Sequence, residues 1–179
     1  VKLRVVARNQ QLIRLDFEDA PTHEVLNGVK NRFRELLAEC DVVILSDYGK
    51  GGLTHVVSFI EWARQAGKPV LIDPKGDDYA KYTGATLLTP NRAELRQVTG
   101  SWKNEADLQE KARSLRRNLD LQALLLTRSE EGMTLFRDGE PHYQPTQARE
   151  VFDVSGAGDT VIAGMGLAMA AGLDFPEAM

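Results

Sequence analysis

An aspartate stands among glycines at the point where an apolar helix is predicted to begin. The segment from Asp153 to Thr160 reads Asp-Val-Ser-Gly-Ala-Gly-Asp-Thr and leads directly into apolar residues. The small residues Gly156, Ala157 and Gly158 leave backbone N–H groups open to an anion, which the positive end of a helix dipole also favours. Asp159, beside that anion, can orient a substrate hydroxyl and accept its proton during phosphoryl transfer. Aspartate and threonine are equally typical of a first helical turn, so the residues alone leave a purely structural role open.

Other phosphate-binding and metal-binding motifs are not found in the sequence. Neither Gly49-Lys50 nor Gly67-Lys68 is followed by Ser or Thr, which excludes a Walker A loop. The segment from Gly156 to Val161 lacks the last glycine of a dinucleotide-binding fingerprint. The histidines lack the spacing of zinc ligands, so no protein-built zinc site is predicted; they are His23, His55 and His142.

The length, charge and cysteine content narrow the class of protein. With 179 residues, of which 42% are hydrophobic, the chain can bury the core of one domain or slightly more. Its 22 Lys and Arg against 26 Asp and Glu give a net charge of -4, unlike a general nucleic-acid binder. Cys40 is the one cysteine, which excludes an internal disulfide and fits a reducing, cytoplasmic compartment. The longest nearly apolar run, from Val161 to Leu173, is too short to span a bilayer, so we expect no membrane association.

The segment around Asp159 must be positioned by the strands and helices that the rest of the sequence predicts. Two runs of partial apolar and polar alternation, residues 2–8 and 12–17, predict a β-hairpin. Short apolar runs predict buried strands at residues 42–45, 70–72, 85–88 and 123–127, and a second hairpin at residues 133–136 and 141–143. Helical spacing predicts helices around residues 26–36, 56–63 and 108–119, and a last helix from about Gly158 to Ala171. This alternation is typical of an α/β domain with a parallel sheet covered on both faces and a ligand site beyond the carboxyl ends of the strands.

The segment from Asp153 to Thr160 resembles the second signature of the ribokinase-like (PfkB) sugar kinase family. Within that family, further stretches are similar to the heptose-7-phosphate kinase domain of bacterial bifunctional ADP-heptose synthases; they are residues 2–5, 8–16, 46–51, 73–76, 89–91, 127–130 and 145–148. The resemblance covers essentially the whole chain. It implies a three-layer α/β domain with a mostly parallel sheet and a β-hairpin lid, the lid being residues 1–18 and the core residues 19–179. Because the chain begins with Val1 rather than Met, we expect it to be a fragment. The resemblance implies that both ends of a larger kinase domain are missing.

The resemblance also implies roles for single residues. Asp159 is expected to be the catalytic base, and the N–H groups at Gly156, Ala157 and Gly158 are expected to form the anion hole. The family's Asn-x-x-Glu motif, which is associated with ATP phosphates and magnesium, is matched by Asn91, Arg92, Ala93 and Glu94. On spacing alone, Asn91 and Glu94 also predict a helix-capping pair, and both roles can hold together.

Two further groups of site residues follow from the same resemblance. The family's nucleotide-binding turn corresponds to Thr127, Arg128, Ser129 and Gly132, although many relatives have glycine where Ser129 stands. Contacts to the sugar substrate are expected from Arg8, Gln10, Asp47 and Lys50. Asp73 and Lys75 follow the next predicted strand, but like Lys50 they are equally typical of solvated loop residues.

The implied reaction is transfer of the ATP γ-phosphoryl group to C1 of D-glycero-D-manno-heptose 7-phosphate, giving the 1,7-bisphosphate for ADP-heptose and lipopolysaccharide precursors. ATP and Mg²⁺ are the implied cofactors, with Mg²⁺ arriving on the nucleotide near Glu94. A homodimer is expected, because the edge of the lid hairpin favours pairing with a second strand. Two alternatives stay open at this point: another PfkB-type carbohydrate kinase, or a catalytically inactive nucleotide-binding or dimerisation fragment.

Overall fold

A six-stranded sheet forms the centre of the fold. The computed structural model describes residues 2–8, 10–17, 19–146 and 156–179. The sheet contains, in spatial order, β3 (Val43–Ser46), β4 (Val70–Asp73), β5 (Leu87–Leu88), β6 (Ala123–Thr127), β7 (Met133–Phe136) and β8 (His142–Gln144). Neighbours from β3 to β6 run parallel, whereas β7 and β8 continue the sheet antiparallel. The predicted α/β class with a mostly parallel sheet is confirmed.

Helices cover both faces of this sheet. They are α1 (His23–Leu36), α2 (Val56–Gln65), α3 (Arg92–Thr99), α4 (Glu105–Asn118) and α5 (Ala157–Ala170). Successive strand residues point to opposite faces. Ile72 and Leu124 therefore pack in the cluster that includes α2 and α4, while Leu71 and Leu125 pack with Met165 of α5. The result is three layers, with the central strands β4, β5 and β6 largely buried between two helical layers.

Helix α5 lies close to the sheet because it carries a glycine at the contact. A Cβ atom at Gly166 would lie 2.7 Å from Cδ1 of Ile44 on β3. Ile162 and Met165 on the same helix are buried against the strands. This close packing fixes the direction of α5 and therefore the position of its N-terminal turn, which lies at the carboxyl edge of β3 and β4.

One predicted strand is shorter than expected. The apolar run at residues 85–88 contributes only Leu87–Leu88 to the ladder. The reason is a side-chain bond: the backbone N–H of Val70 donates to Oγ1 of Thr86 at 2.8 Å. Because that hydroxyl takes the place of a backbone acceptor, regular pairing between β4 and β5 starts one residue later, at Leu71 and Leu87.

The N-terminal hairpin forms a separate two-stranded sheet. Strands β1 (Lys2–Ala7) and β2 (Gln10–Asp16) pair antiparallel, with a register shift between Val5 and Val6. Every described residue of the two strands is exposed, including apolar side chains on both faces. The predicted hairpin is confirmed. Among the described residues, no helix is long and apolar enough to cross a membrane.

Candidate active site

The N-terminal turn of α5 is an open cradle of backbone N–H groups. Gly156 is the N-cap and has φ +77°, a left-handed conformation that favours glycine. The N–H and the hydroxyl of Thr160 both donate to the Gly156 carbonyl at 2.9 Å. The first N–H groups of a helix have no partner within the helix, and no described atom lies within 4 Å of a Cβ built at Gly156 or Gly158. This turn therefore has room for an anion, and the anion hole at Gly156, Ala157 and Gly158 stays a prediction. Residues 153–155 of the motif lie outside the described residues.

Asp159 stands in this first turn and faces the loop that follows β3. The Tyr48 hydroxyl donates to Oδ1 of Asp159 at 3.3 Å, across 111 residues of sequence. The helix dipole favours a carboxylate at this position. The structure thus places the predicted base at the carboxyl edge of the parallel strands, where ligands bind in open α/β sheets.

Asp73, at the carboxyl end of β4, lies close to two other carboxylates. Burial, followed by the negative charge of Glu94, raises the pKa of Asp73. The Ser46 hydroxyl, which donates to Oδ2 of Asp73 at 3.3 Å, opposes that rise, and the charge of Asp159 adds to it. The site therefore concentrates negative charge at one edge of the sheet, where a bound cation would relieve the repulsion.

Asp73→Asn is expected to stabilise the protein at neutral pH. Because the folded pKa is raised, the unfolded chain releases the Asp73 proton first, and the free energy of unfolding falls as pH rises above about 4. Asparagine has no such proton and can still accept the Ser46 hydroxyl. We expect the melting temperature to rise by about 1 to 3 °C at pH 7 and to match the wild type at about pH 3. If Asp73→Asn and the wild type had equal melting temperatures at pH 7 as well as at pH 3, repulsion between Asp73 and the neighbouring carboxylates would be contradicted.

Asp47 is a buried residue that anchors the loop after β3 to the rest of the domain. It is 7% exposed and accepts hydrogen bonds from the Gly49 N–H at 2.8 Å, the Lys81 ammonium at 2.8 Å and the Tyr82 hydroxyl at 2.7 Å. Burial alone would raise the pKa of Asp47, but these hydrogen bonds, led by Lys81, hold it below its ordinary value. Burial raises the pKa of Tyr82 to about 12, so its hydroxyl remains a donor. Asp47, predicted as a substrate contact, thus has a described role in shaping the loop.

Lys50 lies at the open side of the same loop. With Lys2, Ser46, Asp47 and Tyr48 it lines a cavity of about 300 Å³. The hydrogen bond from Arg14, and to a lesser degree the charges of Lys2 and Lys50, lower the pKa of Asp16 on β2. This cavity, between the lid and the end of β3, is a space that an anionic substrate group can enter.

The other two predicted substrate residues lie at the far end of the lid. Arg8, with φ +47°, belongs to the hairpin tip, and Gln10 begins β2. None of the described hydrogen bonds or ion pairs joins either residue to α5 or to the loop after β3. Their contact with substrate stays a prediction.

The two predicted nucleotide segments lie side by side. Asn91 caps α3: its side chain accepts from the Glu94 N–H at 3.0 Å, and the Glu94 carboxylate accepts from the Asn91 N–H at 3.0 Å. Thr127 bridges to Asn91, and its N–H donates to the Pro90 carbonyl at 3.0 Å. Arg92 pairs with Glu131 at 2.5 Å across the same junction. The capping pair expected from spacing is confirmed. The contacts of Thr127 with Pro90 and Asn91 place the turn after β6 next to the start of α3, which includes Ala93.

Arg128 is engaged within the protein. Its guanidinium donates to both oxygens of Glu105, at 2.6 and 2.9 Å, and to Glu131 at 2.9 Å, while the residue is 9% exposed. The hydrogen bond from Arg128 lowers the pKa of Glu105. The side chain therefore holds α4 to the turn, and a nucleotide contact at Arg128 would use the backbone.

The turn after β6 requires unusual backbone angles at two positions. Ser129 has φ +54°, a left-handed conformation that is costly for a residue with a Cβ atom. Gly132 has φ +94° and ψ -133°, which only glycine adopts without strain.

Three residues near the site gave no signal in the sequence. Lys81 and Tyr82 lie in no motif, and Tyr48 lies in the resembling stretch 46–51 without a predicted role. Their partners are distant in the chain: Asp159 for Tyr48, and Asp47 for the other two. Lys75, which follows β4, pairs with Glu94 at 3.0 Å and so links β4 to the start of α3. Only the tertiary arrangement reveals these contacts.

Comparison with known proteins decides the family. The model of the pfkB family of carbohydrate kinases matches residues 6–179. The chain belongs to the pfkB family of carbohydrate kinases. The resemblance of the chain to this family is thereby confirmed.

Two curated members of the pfkB family illustrate the similarity. The chain is 56% identical over 179 residues to the bifunctional protein HldE of Chromohalobacter salexigens, covering 99% of the chain and 38% of that protein. It is 52% identical over 179 residues to the D-beta-D-heptose 7-phosphate kinase of Bordetella bronchiseptica, covering 100% of the chain and 57% of that protein. The chain thus spans between 38% and 57% of the length of these two relatives.

Solved structures of pfkB-type and ribokinase-like enzymes share the fold. Phosphofructokinase-2 from Escherichia coli superimposes with a TM-score of 0.79 at 16% identity, covering 99% of this chain and 59% of that one. Arabidopsis thaliana ribokinase, solved with ribose and ATP, gives a TM-score of 0.71 at 22% identity. The superposition covers 90% of this chain and 51% of the ribokinase chain. The predicted ribokinase-like fold is confirmed.

Proposed function

We propose that this pfkB-family chain transfers the γ-phosphoryl group of ATP to C1 of D-glycero-D-manno-heptose 7-phosphate, as part of ADP-heptose synthesis. The observation that carries the proposal is Asp159 in the first turn of α5, at a helix N-terminus whose first backbone N–H groups have no partner within the helix. The names of the two curated relatives, at 56% and 52% identity, support the choice of a heptose 7-phosphate.

The chemistry needs a base, an anion cradle and a leaving nucleotide. The Asp159 carboxylate removes the proton from the C1 hydroxyl, and that oxygen attacks the γ-phosphorus of ATP. The bond between the γ-phosphorus and the bridging oxygen breaks, and ADP leaves with both bonding electrons. The N–H groups at Gly156, Ala157 and Gly158 stabilise the charge on the transferred group, and a single donor of this kind contributes about 10²- to 10³-fold in rate.

The nucleotide is assigned to the start of α3 and the turn after β6. Among the described residues, no group of three or more acidic, histidine or cysteine side chains could hold a metal ion. One carboxylate oxygen of Glu94 accepts from the Asn91 N–H and the other from Lys75, so Glu94 suits contact through water with a cation held by phosphates. Mg²⁺ bound in this way would neutralise charge developing on the phosphoryl group.

The sugar phosphate is assigned to the cavity between the lid and β3. Lys2 and Lys50 line it, and two cations suit the distal phosphate of the substrate. Arg8 and Gln10 on the lid would contact the sugar after the lid moves. Pairing of two lids through their exposed strands would give the homodimer.

Gly158→Ala tests the anion cradle, because stability and activity should move in opposite directions. Alanine is the better helix former, and its Cβ meets no described atom, so the melting temperature should rise by about 1 to 3 °C. The same methyl group would obstruct a phosphate approaching the backbone, and we expect kcat/KM for ATP to fall about 10²-fold. Gly164→Ala in the same helix, also in open space, is the control and should keep full activity. Wild-type kcat/KM in Gly158→Ala would exclude close approach of phosphate here.

The proposal is tested by following ADP release with ATP, Mg²⁺ and a panel of sugars. The panel contains heptose 7-phosphate, fructose 6-phosphate, ribose and adenosine, and both the chain and its full-length gene product are assayed. Heptose 7-phosphate should give the highest kcat/KM. A preference for another sugar would support a different pfkB-family kinase. ATP binding by calorimetry without turnover in either protein would support the inactive-fragment alternative.

A further inference from the structure

The loop after β3 holds an exposed aromatic side chain over the proposed base. Tyr48 is 60% exposed, so the hydrophobic core does not require an aromatic residue at this position. Its hydroxyl nevertheless reaches Oδ1 of Asp159 at 3.3 Å. Within the described part of the chain, Tyr48 is the side-chain partner of this carboxylate.

The backbone on both sides of Tyr48 is fixed by buried contacts. Asp47 is held by Gly49, Lys81 and Tyr82, and its own N–H donates to the Asp73 carbonyl at 2.9 Å. Gly49 has φ +68°, which turns the chain directly after Tyr48. Because these contacts hold the loop in place, the Tyr48 hydroxyl is kept in a defined position next to Asp159.

We propose that Tyr48 is a positioning residue that holds one oxygen of the Asp159 carboxylate and so directs the other oxygen toward the acceptor hydroxyl of the substrate. This role rests on the proposed kinase function and extends it to a residue of the β3 loop. A carboxylate on a two-carbon side chain rotates between several orientations, and only some of them align with an incoming hydroxyl. A donor fixed by a separate element removes that freedom before substrate binds.

The observed distance suits a positioning role. Hydroxyl-to-carboxylate hydrogen bonds are strongest near about 2.6 Å, so the contact of 3.3 Å is a weak hydrogen bond that orients the carboxylate without fixing it rigidly. Tyr48 also lines the cavity assigned to the sugar phosphate, so the restrained carboxylate oxygen and the substrate space adjoin the same side chain.

The test is a double-mutant cycle on turnover in the full-length protein. Tyr48→Phe should lower kcat about tenfold, with the KM for ATP and the melting temperature close to the wild-type values. In an Asp159→Asn background the same change should alter the residual rate less than about twofold, because the base it positions is gone. Thr54→Val is the matched control: it removes a hydroxyl that donates to the Gly51 carbonyl at 2.6 Å in the same loop, without touching Asp159. Its kcat should match the wild type.

Different failures of this test have different meanings. Absence of wild-type turnover with every sugar of the panel would overturn the proposed function itself. Turnover in the wild type with an unchanged kcat in Tyr48→Phe would overturn the positioning role alone. An equal loss in the wild-type and Asp159→Asn backgrounds would also overturn it, since Tyr48 would then act independently of the base.

Discussion

Asp159→Asn is expected to lower kcat about 10³-fold while leaving the protein folded, because a general base contributes about 10²- to 10⁴-fold to such a reaction. Asparagine has nearly the same shape and can still accept the Tyr48 hydroxyl, which lies 3.3 Å from the carboxylate. The loss of a charge at the helix N-terminus costs at most about 1 kcal/mol, so the melting temperature should fall by no more than about 4 °C. Turnover by ADP release and thermal unfolding measure the two effects separately.

A matched control separates catalysis from helix electrostatics. Asp107 occupies the corresponding position in the first turn of α4, which is also 14 residues long, and it accepts the Lys103 N–H at 2.9 Å. Asp107→Asn removes the same kind of charge from a side chain whose described hydrogen bond goes to Lys103, and it should keep the wild-type kcat. If Asp107→Asn and Asp159→Asn lower kcat equally, Asp159 is not the base.

Gly132→Ala is expected to lower the free energy of unfolding by about 3 kcal/mol, the largest stability effect foreseen for this chain. The backbone at Gly132 has φ +94° and ψ -133°, and a Cβ atom there would overlap the Gln144 carbonyl oxygen and the backbone of Pro145. Neither obstacle is a flexible side chain, so the turn itself would have to move. The melting temperature should fall by roughly 6 to 12 °C, as measured by circular dichroism.

Gly139→Ala is the control for this substitution. Gly139 also has a positive φ, of +89°, but no described atom lies within 4 Å of its Cβ position. It therefore isolates the cost of backbone conformation, about 1 to 2 kcal/mol, from the cost of the clash. Equal destabilisation by the two variants would show that the close approach of Gln144 and Pro145 to Gly132 does not matter for stability.

Local features of the fold could be predicted from the sequence because they depend on neighbouring residues. The all-apolar run at Ala123–Thr127 is a buried strand, and the spacing of Asn91 and Glu94 gives the capping box. The N-terminal turn of α5 follows from the glycines around Asp159. Each of these features is determined within a few residues by propensity, periodicity or capping chemistry.

Contacts between distant loops could not be predicted in this way. Lys81 and Tyr82 bind Asp47 across 34 and 35 residues, and nothing in their local sequence indicates an acidic partner. Arg128 stands in a predicted nucleotide-binding turn, yet its guanidinium is directed to Glu105, 23 residues away. Side-chain direction depends on how elements pack, which a single sequence does not reveal.

Identifying the product of the reaction tests most directly whether Asp159 is the base for phosphoryl transfer to C1. Heptose 7-phosphate, ATP and Mg²⁺ are incubated with the full-length protein, and the mixture is followed by ³¹P NMR together with the Asp159→Asn and Asp107→Asn variants. We expect a new phosphate coupled to the anomeric proton, formed with one ADP per sugar, at wild-type rate in Asp107→Asn and about 10³-fold more slowly in Asp159→Asn. Release of inorganic phosphate without transfer to C1, or formation of the bisphosphate at full rate by Asp159→Asn, would contradict this role of Asp159.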